Sequence, residues 1–189
     1  MDTGKMGFKN VHTAEDNVIR RGILLRNHNG RLTLDTTAYI VLTCMCDSTY
    51  DWPLSSKMMK ANQPSRLYEW GLEKLAEKMS LTLIPSEKAF SPDAAEALAH
   101  QKRIAVQRIS NAIRFLRDRG VIKVLKKGRP GMNASYLLCI GTRQENFDVE
   151  QYDREYLGLP KLPSSLRPED PDEPEHYVSE VDKPLQQSQ

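Results

Sequence analysis

Long apolar runs are missing from this chain. None approaches the ~18 consecutive residues that a membrane-spanning helix needs, and the opening Met1-Asp2-Thr3-Gly4-Lys5 carries no apolar stretch of the kind that starts a secretory signal. No membrane partner and no export are expected. Cysteine is scarce. Cys44, Cys46 and Cys139 make an odd set without a C-x-x-C pair, which argues against a disulfide framework and a zinc ribbon. They lie in apolar runs and read as small buried hydrophobes. The histidines, His12, His28, His100 and His176, are scattered, with no H-E-x-x-H arrangement. There is no Walker motif, no G-x-S-x-G, and no histidine at helical spacing from a nucleophile. The expectation is a reduced, cytoplasmic protein with no metal, no cofactor and no enzymatic activity.

What is there is an uneven charge. The 189 residues, 39% of them hydrophobic, supply one sizeable core with appendages. The formal net charge is only +2, but it is a sum of unlike parts. Residues 1–100 hold 12 basic and 12 acidic side chains. Residues 101–143 hold 11 basic residues against one acid, Asp118, and residues 144–189 hold 4 basic against 12 acidic. A local excess of this size points to a polyanionic partner.

The first eighteen residues, polar and poor in apolar anchors, are expected to form a flexible N-terminal arm. Asn29-Gly30, between the apolar runs Ile23–Leu25 and Leu32–Leu34, predicts a hairpin, because both residues tolerate the positive φ of a type I′ turn. Asp35 can cap a helix with Ala38, Val41, Leu42 and Met45 on one face, although the β-branched and aromatic Tyr39-Ile40-Val41 leaves a strand open. Tyr68, Leu72, Leu75 and Met79 recur at spacings of 4, 3 and 4, which predicts a helix capped by Ser65. Ser91-Pro92-Asp93 is a further helix start, and no Gly or Pro interrupts the chain from there to Arg119. One long helix or two with a bend near His100 both fit. Two β-rich runs, Val121–Leu125 and Ala134–Ile140, flank the loop Lys126-Lys127-Gly128-Arg129-Pro130-Gly131 and predict a second hairpin. Residues 144–159 read as a short C-terminal extension. Six of the eleven prolines fall from Pro160 onward among acidic residues, so 160–189 are expected to be a disordered acidic tail.

On a helical wheel, Ala105, Val106, Ile109, Ala112, Ile113 and Leu116 share one arc of about 120°. Arg103, Gln107, Ser110, Asn111 and Arg114 lie on the opposite side, ending at Asp118. Arg can grip the O6/N7 edge of guanine, Asn and Gln the N6/N7 edge of adenine, and Ser a base or a phosphate. A solvated face would more often alternate Glu with Lys. Ile104 and Phe115 read as a second packing edge against the Leu67–Met79 or Ala94–Ala99 segment. Lys126, Lys127 and Arg129 crowd the tip of the second hairpin and suit a phosphate backbone or a minor groove. Lys127-Gly128-Arg129-Pro130 also resembles the core of an AT-hook.

The order apolar helix, helix, basic helix, Gly120-Val121-Ile122, basic hairpin resembles the winged helix-turn-helix superfamily of DNA-binding proteins. The likeness is strongest from Arg108 to Leu138, in Ile109-x-x-Ala112-Ile113-x-x-Leu116-x-x-x-Gly120-Val121-Ile122 and Ala134-Ser135-Tyr136-Leu137-Leu138. Within the superfamily the chain is most similar to plasmid and phage proteins of replication initiation or gene control. There an early helix like Thr36–Cys46, a Trp-Pro turn (Trp52-Pro53) and a Leu-Ala-Glu helix (Leu75-Ala76-Glu77) precede the recognition helix. Family members usually join those last two helices by a short turn. Here Leu81–His100 intervene, as an inserted helix or as an extension of the recognition helix.

The resemblance implies a mainly α fold with a small β component, a winged helix-turn-helix of the α+β class spanning residues 19–143. It implies double-stranded DNA as partner, nucleoid association, and work as a transcriptional regulator. The alternative is a replication initiator or replisome organiser that marks an origin. Arg103, Gln107, Ser110, Asn111 and Arg114 would read bases or nearby phosphates, while Lys102, Arg108, Lys126, Lys127 and Arg129 would set affinity. Winged helices commonly pair to read two half-sites, which leaves a homodimer open. The acidic tail has the charge to dock a basic protein partner or to compete with DNA.

Overall fold

Asp35 starts the first helix of the core. Its Oδ1 accepts the Ala38 amide at 2.9 Å, satisfying one of the donors that a helix N-terminus leaves free, and α2 runs over Thr36–Asp47. The structure is a computed structural model that describes residues 7–83 and 93–169. In chain order it contains α1 (Phe8–Ala14), a π-helical turn (Glu15–Ile19), β1 (Leu25–His28), β2 (Arg31–Leu34), α2, α3 (Ser56–Lys60), β3 (Leu67–Tyr68) and α4 (Leu72–Lys78). After these come α5 (Ala94–Asp118), β4 (Ile122–Lys126), β5 (Ser135–Leu138), α6 (Arg143–Tyr156) and a short 3-10 turn (Ser164–Leu166). The class is α+β, mainly helical with two small antiparallel sheets. Among the described residues no helix is long and apolar enough to cross a membrane.

The core is built where three helices meet. Val41, Leu42 and Met45 of α2, Leu75 and Ala76 of α4, and Ala105, Ile109, Ala112, Ile113 and Leu116 of α5 form one buried cluster with Tyr68, Val121, Ile122, Leu138 and Ile140. The apolar arc read for 102–119 is therefore the packed face of α5. Val106, at its margin, is half-buried. Asn29 and Gly30 take φ of 51° and 81°, and β1 pairs with β2 in the register His28↔Arg31, Leu25↔Leu34, as a type I′ hairpin requires. The second sheet has the order β3-β5-β4, with Ile122↔Leu138 and Lys126↔Ser135 across the hairpin and Leu67↔Leu137 on the other edge.

Several expectations need correction. The arm expected over 1–18 is folded from Phe8 onward, with Asn10, Ala14 and Val18 buried. Ala14 and Val18 are one helical turn apart and suffice as anchors, and the Asn10 side chain donates to Thr49 Oγ1 at 3.1 Å. Residues 1–6 lie outside the described residues. Tyr68 does not belong to the α4 helix, nor does Ser65 cap it. Gly71, at φ 82° and ψ 167°, interrupts the chain before Leu72; Tyr68 pairs with Tyr136 in the sheet, and the Ser65 amide donates to Asp153 at 2.8 Å. The 4-3-4 spacing straddled a strand and a helix, and sheet pairing overrode it.

The C-terminal boundaries also move. Residues 144–159 are no appendage, because α6 lays Val149 against Leu137 and Cys139 in a second small core. The expected tail is held over its first part, where Gln151 accepts the Leu162 amide at 2.7 Å and donates to the Leu162 carbonyl at 3.2 Å. Residues 170–189 lie outside the described residues, as do 84–92 with the expected Ser91 cap. Asp93 precedes α5 but its side chain caps nothing. Residues 94–100 are the first turns of α5, so for them the extension of the basic helix holds, without a bend.

Two buried polar groups tie these elements together. Arg66, 1% exposed, donates through Nε to Asn10 Oδ1 and through Nη2 to Glu145 Oε1, both at 3.0 Å, linking α1, β3 and α6. Asp153 is fully buried, and burial pushes its carboxyl up to about 8, with the Ser65 amide opposing. An unfolded Asp titrates near 3.8, so between about pH 4 and pH 8 the unfolded chain releases a proton that the folded chain keeps. Stability is therefore expected to fall as pH rises through that window, by up to about 1.4 kcal/mol per pH unit from this group. Asp153→Asn keeps an acceptor for Ser65 and removes the ionisation. In urea unfolding the variant should gain on the wild type steadily from pH 5 to pH 7.5, and parallel profiles would refute this origin.

Candidate nucleic-acid interface

The single helix α5 carries both the core stripe and the ridge behind it. Arg103, Gln107, Asn111 and Arg114 are exposed and Ser110 is half-buried. At 3.6 residues per turn the five side chains fall within about 100° of one another, so they leave the molecule on one side. Gln107 Nε2 donates to Asn111 Oδ1 at 3.2 Å, which holds the two amides as an ordered pair. Lys102 and Arg108 are exposed too but do not join the ridge, since the helical period turns each about 120° away from Arg114.

Neighbouring elements flank the ridge. Arg117 lies on one margin, and its charge opposes the larger upward push of burial on the Tyr136 phenol of β5. On the other margin Arg26 of β1 lies 4.1 Å above the Phe115 ring and Arg119 lies 5.2 Å from it. Phe115 thus meets the β1–β2 hairpin as well as packing against the main core cluster.

In the β4–β5 hairpin, Lys126, Lys127 and Arg129 are all exposed. Arg129 and Met132 exchange backbone hydrogen bonds of 3.0 and 2.8 Å across Pro130-Gly131, and Gly131 takes a φ of 78°. This closed turn reverses the chain directly after Arg129, unlike the extended core of an AT-hook.

Apart from Arg143, the basic residues of 101–143 now separate into two groups. Arg117 pairs with Asp118 at 3.2 Å, Lys123 with Glu150 at 2.8 Å, and Arg119 donates to the Leu25 carbonyl at 3.3 Å. Lys123 and Arg119 thereby link separate elements, as do Arg26–Asp35, Arg66–Glu145 and Lys78–Asp47 elsewhere. By contrast Lys102, Arg103, Arg108, Arg114, Lys126, Lys127 and Arg129 have no carboxylate partner within 4.0 Å among the described residues. Exposed like charges held close without counter-ions are unfavourable for folding, so nothing in the fold accounts for them.

Sequence reasoning missed one segment beside the hairpin, Glu69-Trp70-Gly71. Trp70 is 58% exposed, and the signal that could have found it is a tryptophan next to a helix-breaking glycine rather than within an apolar stripe. A hollow lined by Phe8, Val11, His12, Thr43, Cys44, Asp47 and Lys78 lies among α1, α2 and α4. There burial pushes the Cys44 thiol up, away from the thiolate that nucleophilic chemistry needs. Among the described residues no three His, Cys, Asp or Glu side chains gather as metal ligands. No protein-family model, curated protein or solved structure matches the chain.

Proposed function

We propose that this protein binds double-stranded DNA as a winged-helix domain, with α5 in the major groove and the β4–β5 hairpin on the adjacent backbone or minor groove, and acts as a transcriptional regulator. The observation that carries the reading is the set of seven exposed cations on α5 and the hairpin without carboxylate partners, interleaved with Gln107, Ser110 and Asn111. Phosphates supply the missing counter-charge, and amides and guanidinium groups read base edges. The order of elements supports the winged-helix reading: α2, α4, basic α5, Gly120 and a basic hairpin follow one another as the resemblance requires.

Incubation with random duplex at low salt tests the reading, and no mobility shift at micromolar protein would overturn it. Arg114→Ala is expected to cost about 1–3 kcal/mol on a preferred site and to relax discrimination at one base pair. Selection of bound sequences from a random pool identifies that site. A palindromic winner means a homodimer, and an asymmetric one a monomer. Tandem repeats would replace the regulator by an origin-binding initiator.

A further inference from the structure

We propose that Trp70, on a turn fastened to the hairpin strand that follows Met132, forms an apolar contact on the sugar face of the DNA strand held by the hairpin cations. The proposal rests on the DNA-binding reading above. Trp70 and Met132 are 58% and 55% exposed, whereas Trp52, the other tryptophan, is half-buried with its ring 5.9 Å from that of Tyr152. An indole left in water forgoes a large burial gain, so its placement calls for a partner surface.

The placement is built, not incidental. The Glu69 carbonyl accepts from Asn133 Nδ2 at 3.0 Å, and the Glu69 carboxylate accepts from Ser135 Oγ at 2.7 Å. The Tyr68 hydroxyl donates to the Gly71 carbonyl at 2.9 Å. Gly71 sits so close to the hairpin that a Cβ there would lie 2.6 Å from Asn133 Oδ1. The turn bearing Trp70 is thus fastened to the strand that leaves the hairpin tip, and a contact made from it costs little ordering.

The surroundings choose the partner. Met132 stands opposite Arg129 across the tip, so the two side chains share a face. Lys126 stands opposite Ser135, which holds Glu69. Exposed apolar groups on the same hairpin unit as unpaired cations fit a polymer with alternating anionic and apolar units. Deoxyribose between phosphates has that character. An anionic lipid surface shares part of the chemistry, but it gives no use to the Gln107–Asn111 amide pair on the neighbouring ridge.

Full-length Trp52→Phe protein leaves Trp70 as the single indole, and neutral acrylamide reports its exposure at any salt concentration. Saturating random duplex is expected to remove acrylamide access to Trp70. In the wild-type background, Trp70→Ala should weaken duplex binding about five- to tenfold, the scale of one aromatic–nucleotide contact, with an unchanged salt slope and an unchanged melting curve. Lys127→Ala, by contrast, should lower the slope by about one unit. Duplex binding with Trp70 still open to acrylamide and Trp70→Ala binding normally would overturn this inference and leave the DNA reading standing. No duplex binding at all would overturn both. Shielding by phosphatidylserine vesicles but not by duplex would assign the patch to a membrane surface instead.

Discussion

Arg66→Met is expected to lower the unfolding free energy by about 3–5 kcal/mol, the scale for removing one partner from a buried charged network. The substitution roughly keeps side-chain volume but leaves Asn10 Oδ1 without its guanidinium donor in a fully buried site. Glu145, 29% exposed in its side chain, can recover some hydration, which moves the expectation toward the lower figure. Arg66 Nη1 has no hydrogen-bond partner to lose, so the hydrogen bonds removed are those of Nε and Nη2. Urea unfolding followed by circular dichroism reads the change. A loss below about 1 kcal/mol, the scale of one ordinary hydrogen bond, would mean that the network is not what joins α1 and α6 to β3. The folded fraction should bind duplex as the wild type does, because the Arg66 side chain bonds Asn10 and Glu145 and none of the exposed cations.

The triple variant Lys126→Ala, Lys127→Ala, Arg129→Ala is expected to show the opposite behaviour, normal stability with crippled binding. Each neutralised phosphate contributes about 0.9 to the slope of log K against log salt, so three lost contacts flatten it by about 2.7. Carried from 1 M to 0.15 M salt, the same slope amounts to roughly 10^2-fold in affinity. The three side chains are exposed and engage no carboxylate, so the melting temperature should not fall, and relief of like-charge repulsion can only raise it slightly. Titration at four or more salt concentrations measures the slope, and an unchanged value would place the duplex elsewhere on the molecule. Against this background Arg114→Ala separates the two kinds of contact, since it should change discrimination among sequences more than the salt dependence.

Much of the candidate interface is legible in the residue order alone. The ridge from Arg103 to Arg114 and the apolar stripe behind it are both consequences of a 3.6-residue period in an uninterrupted helix, and the cationic tip follows from Gly and Pro at the turn. Which cations are free is not legible there. Lys123 belongs to the same basic stretch as Lys126, yet it faces Glu150 of α6, 27 residues away. Arg119 looks like an extension of the ridge and is instead tied to the Leu25 carbonyl, 94 residues away. Trp70 is hidden by a spacing that imitates one continuous helix from Tyr68 to Met79.

Residue order sufficed wherever both ends of an interaction lie within a turn of each other. The Asp35 cap on Ala38, the Asn29-Gly30 hairpin and the buried face of α5 are of this kind, because local sterics and hydrogen bonding select them whatever the rest of the chain does. Folding in three dimensions decided the strand at Leu67–Tyr68, the packing of α1 and α6, and the division of the basic residues into paired and unpaired. Those features depend on partners such as Asn10 for Arg66, Ser65 for Asp153 and Tyr136 for Tyr68, each more than fifty residues distant. At that separation a periodic pattern carries no information, and only the burial of one common core brings the groups together.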